Sequence, residues 1–335
     1  MTIYDTNVNG VDNNETLINR EMTMKTVSKA LVLALLTTAA LSGVARAEYP
    51  ERPVTFLEPW PPGDADDQIL RIISEAFTAE TGVPGKVVNR PGGFGVEGAE
   101  ALATSAADGY TVGNLLIDIP TSYVIQGFAP YKADDFEVIG LNMNFPFILA
   151  ARKDAPFNNL AEMAEFAKAN PLRFAHFGFE TIPAQQTFEA ARQLGFTFST
   201  ETGYDVTDCN TLANGDADVM NTTVALVLAC KDDIKVIAAY TAEPLSVFPD
   251  APLLKDQITG PTFALWSGLF VPKGTPQAVK DKIAAIAEKA MQSDQVKQIA
   301  ATTGAEIYWL PAAEAQARID ADYKAIEELF AKIKK

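Results

Sequence analysis

Two glycine-bearing loops stand where strand-like runs end and helix-like runs begin. Pro62-Gly63 precedes the run Asp66–Glu80, and Gly92-Gly93-Phe94-Gly95 precedes Val96–Ser105. A helix opened this way leaves backbone N–H groups unpaired, and its dipole adds partial positive charge at the same place. Glycines carry no side chain to block an approaching oxygen. The chemistry this favours is capture of an anion such as a carboxylate. Hydrogen bonds to a charged group contribute about 1.5–3 kcal/mol each, so roughly four reach micromolar affinity. Arg71 and Arg90 could assist, although Arg71 reads more simply as a helix-surface charge.

Further residues could complete such a site. Asp67, one turn into its helix, can accept N–H groups of its own loop and set its shape, or touch a ligand. Trp60 and Phe94 lie inside the loops and are candidate walls; Phe179 and Trp266 are the other aromatic candidates. Asp118-Ile119-Pro120-Thr121 follows a third strand-like run and offers the Thr121 hydroxyl. Gly178-Phe179-Glu180-Thr181 again joins a strand to a helix. The expected ligand-binding set is Trp60, Pro62, Gly63, Asp64, Asp67, Gly92, Gly93, Phe94, Asp118, Thr121, Phe179, Glu180 and Thr181. Because Asp64, Asp118 and Glu180 are acidic, an amino-acid-like ligand is an alternative to a simple carboxylate.

Competing chemistries are weaker. Gly93-x-Gly95-x-x-Gly98, with Asp118 downstream, satisfies a dinucleotide fingerprint on paper, so an exported NAD(P)-dependent oxidoreductase is the enzyme alternative. Pro91 and Gly92 intrude where that fingerprint needs a tight turn. Asp64-x-Asp66 with Glu75 imitates a calcium loop, but Ile69 stands where glycine is required. One histidine, His176, argues against His-based metal clusters and hydrolytic triads; a packed neutral imidazole is the simpler reading. No cofactor, metal or catalysis is expected. Cys209 and Cys230 are either a structural disulfide or two buried thiols.

The elements that must hold these residues alternate along the chain. Val54–Pro59, Lys86–Asn89, Thr111–Ile117, Val138–Leu141, Phe147–Ala151, Phe174–Phe177, Val219–Thr222, Lys235–Tyr240, Leu269–Val271 and Glu306–Leu310 read as strands. Helical spacing appears in Ile69, Ile72, Ile73 and Phe77, in Val279, Ile283, Ile286 and Ala290, and in Ile319, Tyr323, Ile326 and Phe330. Asn159 with Glu162 resembles a capping box, a further helix spans Pro183–Leu194, and Thr275-Pro276 a cap with proline at the first helical position. The pattern predicts an α/β fold with mainly parallel sheets.

Ahead of these elements, Lys25 and Lys29 precede an apolar run from Ala30 to Leu41 and the small residues Ala45-Arg46-Ala47. This is the order of a cleavable export signal, and the run is shorter than the roughly 20 residues of a membrane span. Residues 24–47 are therefore expected to be removed after Ala47 in the periplasm, with 1–23 a dispensable extension. The chain has 43 acidic and 27 basic residues, a formal charge of −16. That argues against nucleic acid and against anionic membrane surfaces as partners.

Three stretches carry a family resemblance: Tyr49-Pro50-Glu51-Arg52-Pro53 running into Pro59-Trp60-Pro61-Pro62-Gly63 with Asp67 and Arg71; Asn89-Arg90-Pro91-Gly92-Gly93-Phe94-Gly95 with Gly98-Ala99; and Asp108-Gly109-Tyr110-Thr111. With weaker echoes as far as Trp266-Ser267-Gly268-Leu269-Phe270, they resemble the substrate-binding (Bug-type) receptors of tripartite tricarboxylate transporters. The resemblance implies a monomeric, two-lobed receptor that closes over its ligand and delivers it to membrane subunits. It implies lobe 1 at 48–146 and 268–335, lobe 2 at 147–267, and Thr181 as a lobe-two contact. Two departures stand out: Asp64 replaces a usual glycine, and the usual proline-tyrosine-lysine-glycine stretch is missing near Glu201–Asp205.

Overall fold

The computed structural model describes residues 49–333 together with Thr2, so the export signal and the extension before it lie outside the described residues. From Pro50 onward the chain is one compact unit containing two sheets. The first half builds β1 (Val54–Glu58), α1 (Ala65–Thr81), β2 (Gly85–Asn89), α2 (Val96–Ala103), β3 (Thr111–Leu116), α3 (Ser122–Gln126) and β4 (Phe136–Asn144). The middle block is β5 (Phe147–Arg152), α4 (Leu160–Ala167), β6 (Arg173–His176), α5 (Ile182–Leu194), β7 (Thr200–Gly203), α6 (Cys209–Ala213), β8 (Val219–Thr223), α7 (Val224–Val227) and β9 (Ile234–Ala239). The chain then returns as β10 (Trp266–Pro272), α8 (Gln277–Ala290), α9 (Asp294–Thr303), β11 (Glu306–Pro311) and α10 (Ala312–Ile333).

The six-stranded sheet has the order β11-β4-β10-β3-β1-β2, and the five-stranded sheet β7-β6-β8-β5-β9. Both are mixed, which corrects the expectation of mainly parallel sheets. β1 to β4 share one direction, while β10 and β11 oppose them. In the other sheet β5 opposes β6, β7, β8 and β9. The physical reason is the passage between sheets: β4 leads out and β10 leads back, so the two must run in opposite directions. Only Phe145 and Pro146 separate β4 from β5. There the Phe145 N–H donates to the Leu265 carbonyl at 2.7 Å, which binds the outward and return passages side by side.

Local signals explain the helices next to the site. Asp64 caps α1, its carboxylate accepting the Ala65 N–H at 2.7 Å, and Gly82 ends the helix at φ 72°. Ile69, Leu70, Ile73 and Phe77 face the core, with Ile72 half-buried. Asn159 does cap α4, but the Glu162 carboxylate returns to the Asn158 N–H, so the box is not reciprocal. The cap expected at Thr275 is also corrected: its hydroxyl donates to the Pro272 carbonyl, and Pro276 is the capping position. Cys209 and Cys230 form a disulfide beside the apolar core of the second sheet.

Candidate functional site

The C-terminal ends of β1, β3 and β6 and the helices after them converge on a cavity of about 60 Å³ between the two sheets. This is where open α/β sheets place ligands. The cavity is enclosed by Trp60, Pro61, Pro62, Leu116, Phe145, Phe147, Phe177, Pro183, Val206 and Leu226, with Asp64, Asp66, Asp118, Asp205 and Thr181 as its polar members. None of these lining residues is basic. The aromatic rings form a continuous wall: Trp60 meets Phe177 edge-on at 6.1 Å, Phe177 meets Phe147 at 5.8 Å, and Phe147 meets Phe145 at 5.5 Å.

The backbone donors at the helix starts are held by the chain's own carboxylates. Besides the Ala65 amide on Asp64, the Gly63 N–H donates to Asp67 at 3.3 Å and the Asp67 N–H to Asp66 at 2.8 Å. Across the cleft, the Ile182 N–H at the start of α5 donates to Asp118 at 2.6 Å. Thr223, at the end of β8, donates its hydroxyl to Asp64 at 2.9 Å, a second bond from one sheet to the other. Ser122 and Gln126 of α3 complete the closure by donating to the Glu180 carbonyl.

Burial without a cationic partner raises these acids. Asp118 is pushed up to about 7 and Asp64 to about 6, in both cases chiefly by burial. Asp66 reaches about 8, through burial first and the neighbouring Asp64 charge second. Behind them Glu58 is raised as well, by burial and then by the charge of Asp66. Glu58 ends a buried polar chain across the first sheet: Ser267 donates to Asn142, Asn142 to Asn114, and Asn114 to Glu58. Trp60 is 8 % exposed, and its indole N–H has no hydrogen-bond partner among the described residues.

Of the residues expected from sequence, Trp60, Pro62, Asp64, Asp118 and Thr181 line the cavity. Asp67 lies behind it, holding Arg71 through two bonds of 2.9–3.0 Å and accepting from Asn89, which in turn donates to the Trp60 carbonyl. Gly63 supports the same loop. Thr121 is fully buried and donates to the Ile117 carbonyl, which leaves its neighbour Ser122 as the hydroxyl that reaches across. Phe179 is exposed and packs on Phe188; Glu180 contributes its carbonyl rather than a place in the lining.

Gly92, Gly93 and Phe94 lie outside the lining, and Phe94 packs across the cleft. Phe94 adopts φ 58° and ψ 41°, unusual for a residue with a side chain. Its ring lies so close to Gly178 and Gly203 that a Cβ on either would come within 2.8 Å of it. A Cβ on Gly92 would stand 2.5 Å from the Glu97 carboxyl carbon, so an acidic side chain of α2 already covers that loop. Reading from sequence missed Asp66, Phe145, Phe147 and Phe177. The signal that could have found them is that each sits at the end of a strand or the first turn of a helix feeding the cleft.

The described residues contain no helix long and apolar enough to cross a membrane. The two sheets with a cavity between them define a two-lobed, cleft-bearing α/β protein. Residues 69–334 match the model of the tripartite tricarboxylate transporter family receptor, and the chain belongs to that family. It is 29% identical over 288 residues to the "UPF0065 protein in tcbD-tcbE intergenic region" of Pseudomonas sp. (strain P51), covering 81% of this chain and 84% of that protein. It is 26% identical to the protein BugT of Bordetella pertussis, over 82% of this chain and 88% of the relative. Among solved structures, the periplasmic binding protein BugD superposes with a TM-score of 0.76 at 25% identity, over 85% of this chain and 98% of the other. MatC of Rhodopseudomonas palustris, solved with bound malate, shares the fold at a TM-score of 0.75 and 24% identity, over 84% and 99%. The oxidoreductase alternative has no support in these matches, and Glu97 and Phe94 crowd the loop a pyrophosphate would need.

Proposed function

We propose that the protein is exported, loses residues 1–47, and captures a small carboxylate-bearing solute for the membrane subunits of a tripartite transporter. It acts as a monomer and performs no chemistry on its ligand. The halves that close are 48–146 with 268–335, and 147–267, turning about Phe145–Pro146 and the irregular segment entering β10. Membership of the receptor family supports this reading. So do two proteins of the same fold solved with malate and with adipate.

The observation that carries it is the Asp118 carboxylate resting on the Ile182 N–H at the start of α5. A carboxylate fits that helix terminus, and here the chain supplies its own. An incoming solute takes that position, displaces Asp118 and keeps the two halves together through its own bonds. Trp60, Pro62, Phe177 and Thr181 then form the walls around it.

The test is thermal shift against a panel of small mono-, di- and tricarboxylates, with NAD and NADP as controls. A ligand at 100 times its Kd adds about 2.7 kcal/mol, which is a readable rise in Tm. Stabilisation by a carboxylate and not by the dinucleotides supports the reading. Stabilisation by NAD or NADP alone refutes it.

A further inference from the structure

We propose that a second cavity, across the crossing strands from the solute cleft, is the clearance into which the two halves turn when the cleft opens. Its walls then set the balance of open and closed forms, and with it the affinity for solute, without touching the solute. The inference rests on the reading of two halves that close, and says what limits their motion.

The second cavity holds about 350 Å³ and has one wall from each half. Residues 240–246, which follow β9, form the wall of the second half. Asn144 at the end of β4, Ala300 of α9 and residues 304–306 leading into β11 form the wall of the first. Strand order fixes where this cavity lies. In the six-stranded sheet the crossing strands β4 and β10 stand between β11 on one side and β3 and β1 on the other. In the five-stranded sheet β5 stands between β9 and the pair β8 and β6.

The solute cleft is built at the ends of β1, β3 and β6, and the second cavity at β9 and β11. The crossings therefore separate the two spaces in both sheets. Phe145, in the crossing itself, lines both. Two bodies joined along such a line move as a see-saw, so what widens in front of the pivot narrows behind it.

The two sides are held differently. At the front, side chains bond across the cleft: Asp118 accepts the Ile182 N–H, and Thr223 donates to Asp64. At the rear the walls approach by packing. A Cβ on Gly304 would stand 3.4 Å from Leu245 and 3.7 Å from the Ser246 hydroxyl. Gly304 ends α9 at φ 72° and carries no side chain, which keeps the clearance open at its narrowest place. Ser246 is exposed, so a larger side chain there fills the clearance without entering the core.

The experiment is double electron–electron resonance on the purified protein without solute, using nitroxide labels on introduced cysteine pairs. Cys209 and Cys230 are bonded to each other and take no label. The front pair is Glu100→Cys with Thr202→Cys, exposed residues of α2 and β7 on either side of the Phe94 contact. The rear pair is Glu243→Cys with Ala301→Cys, exposed residues of the two rear segments. Both are measured with and without Asp118→Ala and Thr223→Ala together, which remove two bonds between the halves. The expected result is a longer front distance and a shorter rear distance in that double variant. Read on the front pair, adding Ser246→Trp should then lower the open-to-closed ratio about tenfold, the scale of overpacking a narrowed space. Asp250→Trp, exposed and outside the cavity, should leave the ratio unchanged. A front distance that lengthens while the rear stays fixed or lengthens too overturns the inference and leaves the closing motion intact. So does an open fraction that Ser246→Trp fails to lower, or that Asp250→Trp lowers as much. A front distance unmoved by the double variant overturns the closing motion and the inference with it.

Discussion

Replacing Asp118 with alanine tests how the two halves are held together. In the structure its carboxylate accepts the Ile182 N–H from the other half at 2.6 Å. At about pH 8.5 Asp118, raised to about 7, is charged; a hydrogen bond to a charged acceptor contributes about 1.5–3 kcal/mol, and each 1.4 kcal/mol is a factor of ten. Loss of the bond should therefore lower the closed-to-open ratio of the ligand-free protein by roughly 10- to 140-fold. The Thr223–Asp64 bond, the Ser122 and Gln126 bonds to Glu180, and the Phe94 contact all remain. The expected result is a mixture of open and closed molecules rather than complete opening. Small-angle scattering should show a larger radius of gyration for Asp118→Ala. Trp60 fluorescence should change with it, because Trp60 and Phe177 are in contact only when the halves meet. Saturating ligand should restore the compact profile. A ligand-free variant whose scattering superimposes on that of the native protein would refute the argument that this bond holds the cleft shut.

Three further outcomes follow from the same geometry. Gly203→Ala introduces a Cβ within 2.8 Å of the Phe94 ring, so it should also shift the scattering of the ligand-free protein toward the open form; an unchanged profile contradicts the closing role of Phe94. Asp64, Asp66 and Asp118 have folded pKa values raised to about 6, 8 and 7, so folding takes up protons between about pH 4 and these values. Their contribution to stability is complete below about pH 4 and is lost as pH rises through 6–8; the ligand-free Tm should fall between about pH 5 and pH 8.5, less so in Asp66→Asn, and a flat profile argues against burial of these charges. Removing the Cys209–Cys230 link, which closes a loop of 21 residues, with Cys209→Ser and Cys230→Ser should cost about 3 kcal/mol in denaturant unfolding. Ligand affinity should be unchanged, since neither cysteine lines the cavity.

Much of the fold was legible because most strands are covered on both faces and read as apolar runs. Phe147–Arg152 and Ile234–Ala239 are examples, apart from an exposed Arg152 and a half-buried Lys235. β7 was not legible: Thr200-Glu201-Thr202-Gly203 is an exposed polar edge with no apolar pattern. Strand direction was not legible either, since nothing local announces that β4 and β10 are the crossings. At the site, Asp64, Asp118 and Thr181 could be read from their places between strands and helices. Phe147 and Phe177 also sit at strand ends, but that position only nominates them, because an aromatic there has the same local signature whether it faces a cavity or a core. Thr121 and Ser122 show the finer difficulty: adjacent hydroxyls, one turned back to Ile117 and the other reaching to Glu180. Only the packing of the second sheet against the first decides between them. Phe94 is similar, since its role depends on Gly178 and Gly203, far along the chain.

The central claim is that a solute occupies the cavity between the two sheets. Its most direct test is titration of the best carboxylate of the panel into the native protein and into Val206→Trp. Val206 lines the cavity yet is 37% exposed, so an indole there should block the space without disturbing the core. The account predicts one bound equivalent for the native protein and at least a tenfold loss of affinity in the variant, with an unchanged ligand-free Tm. Equal affinity in the two proteins would place the ligand elsewhere and contradict the account.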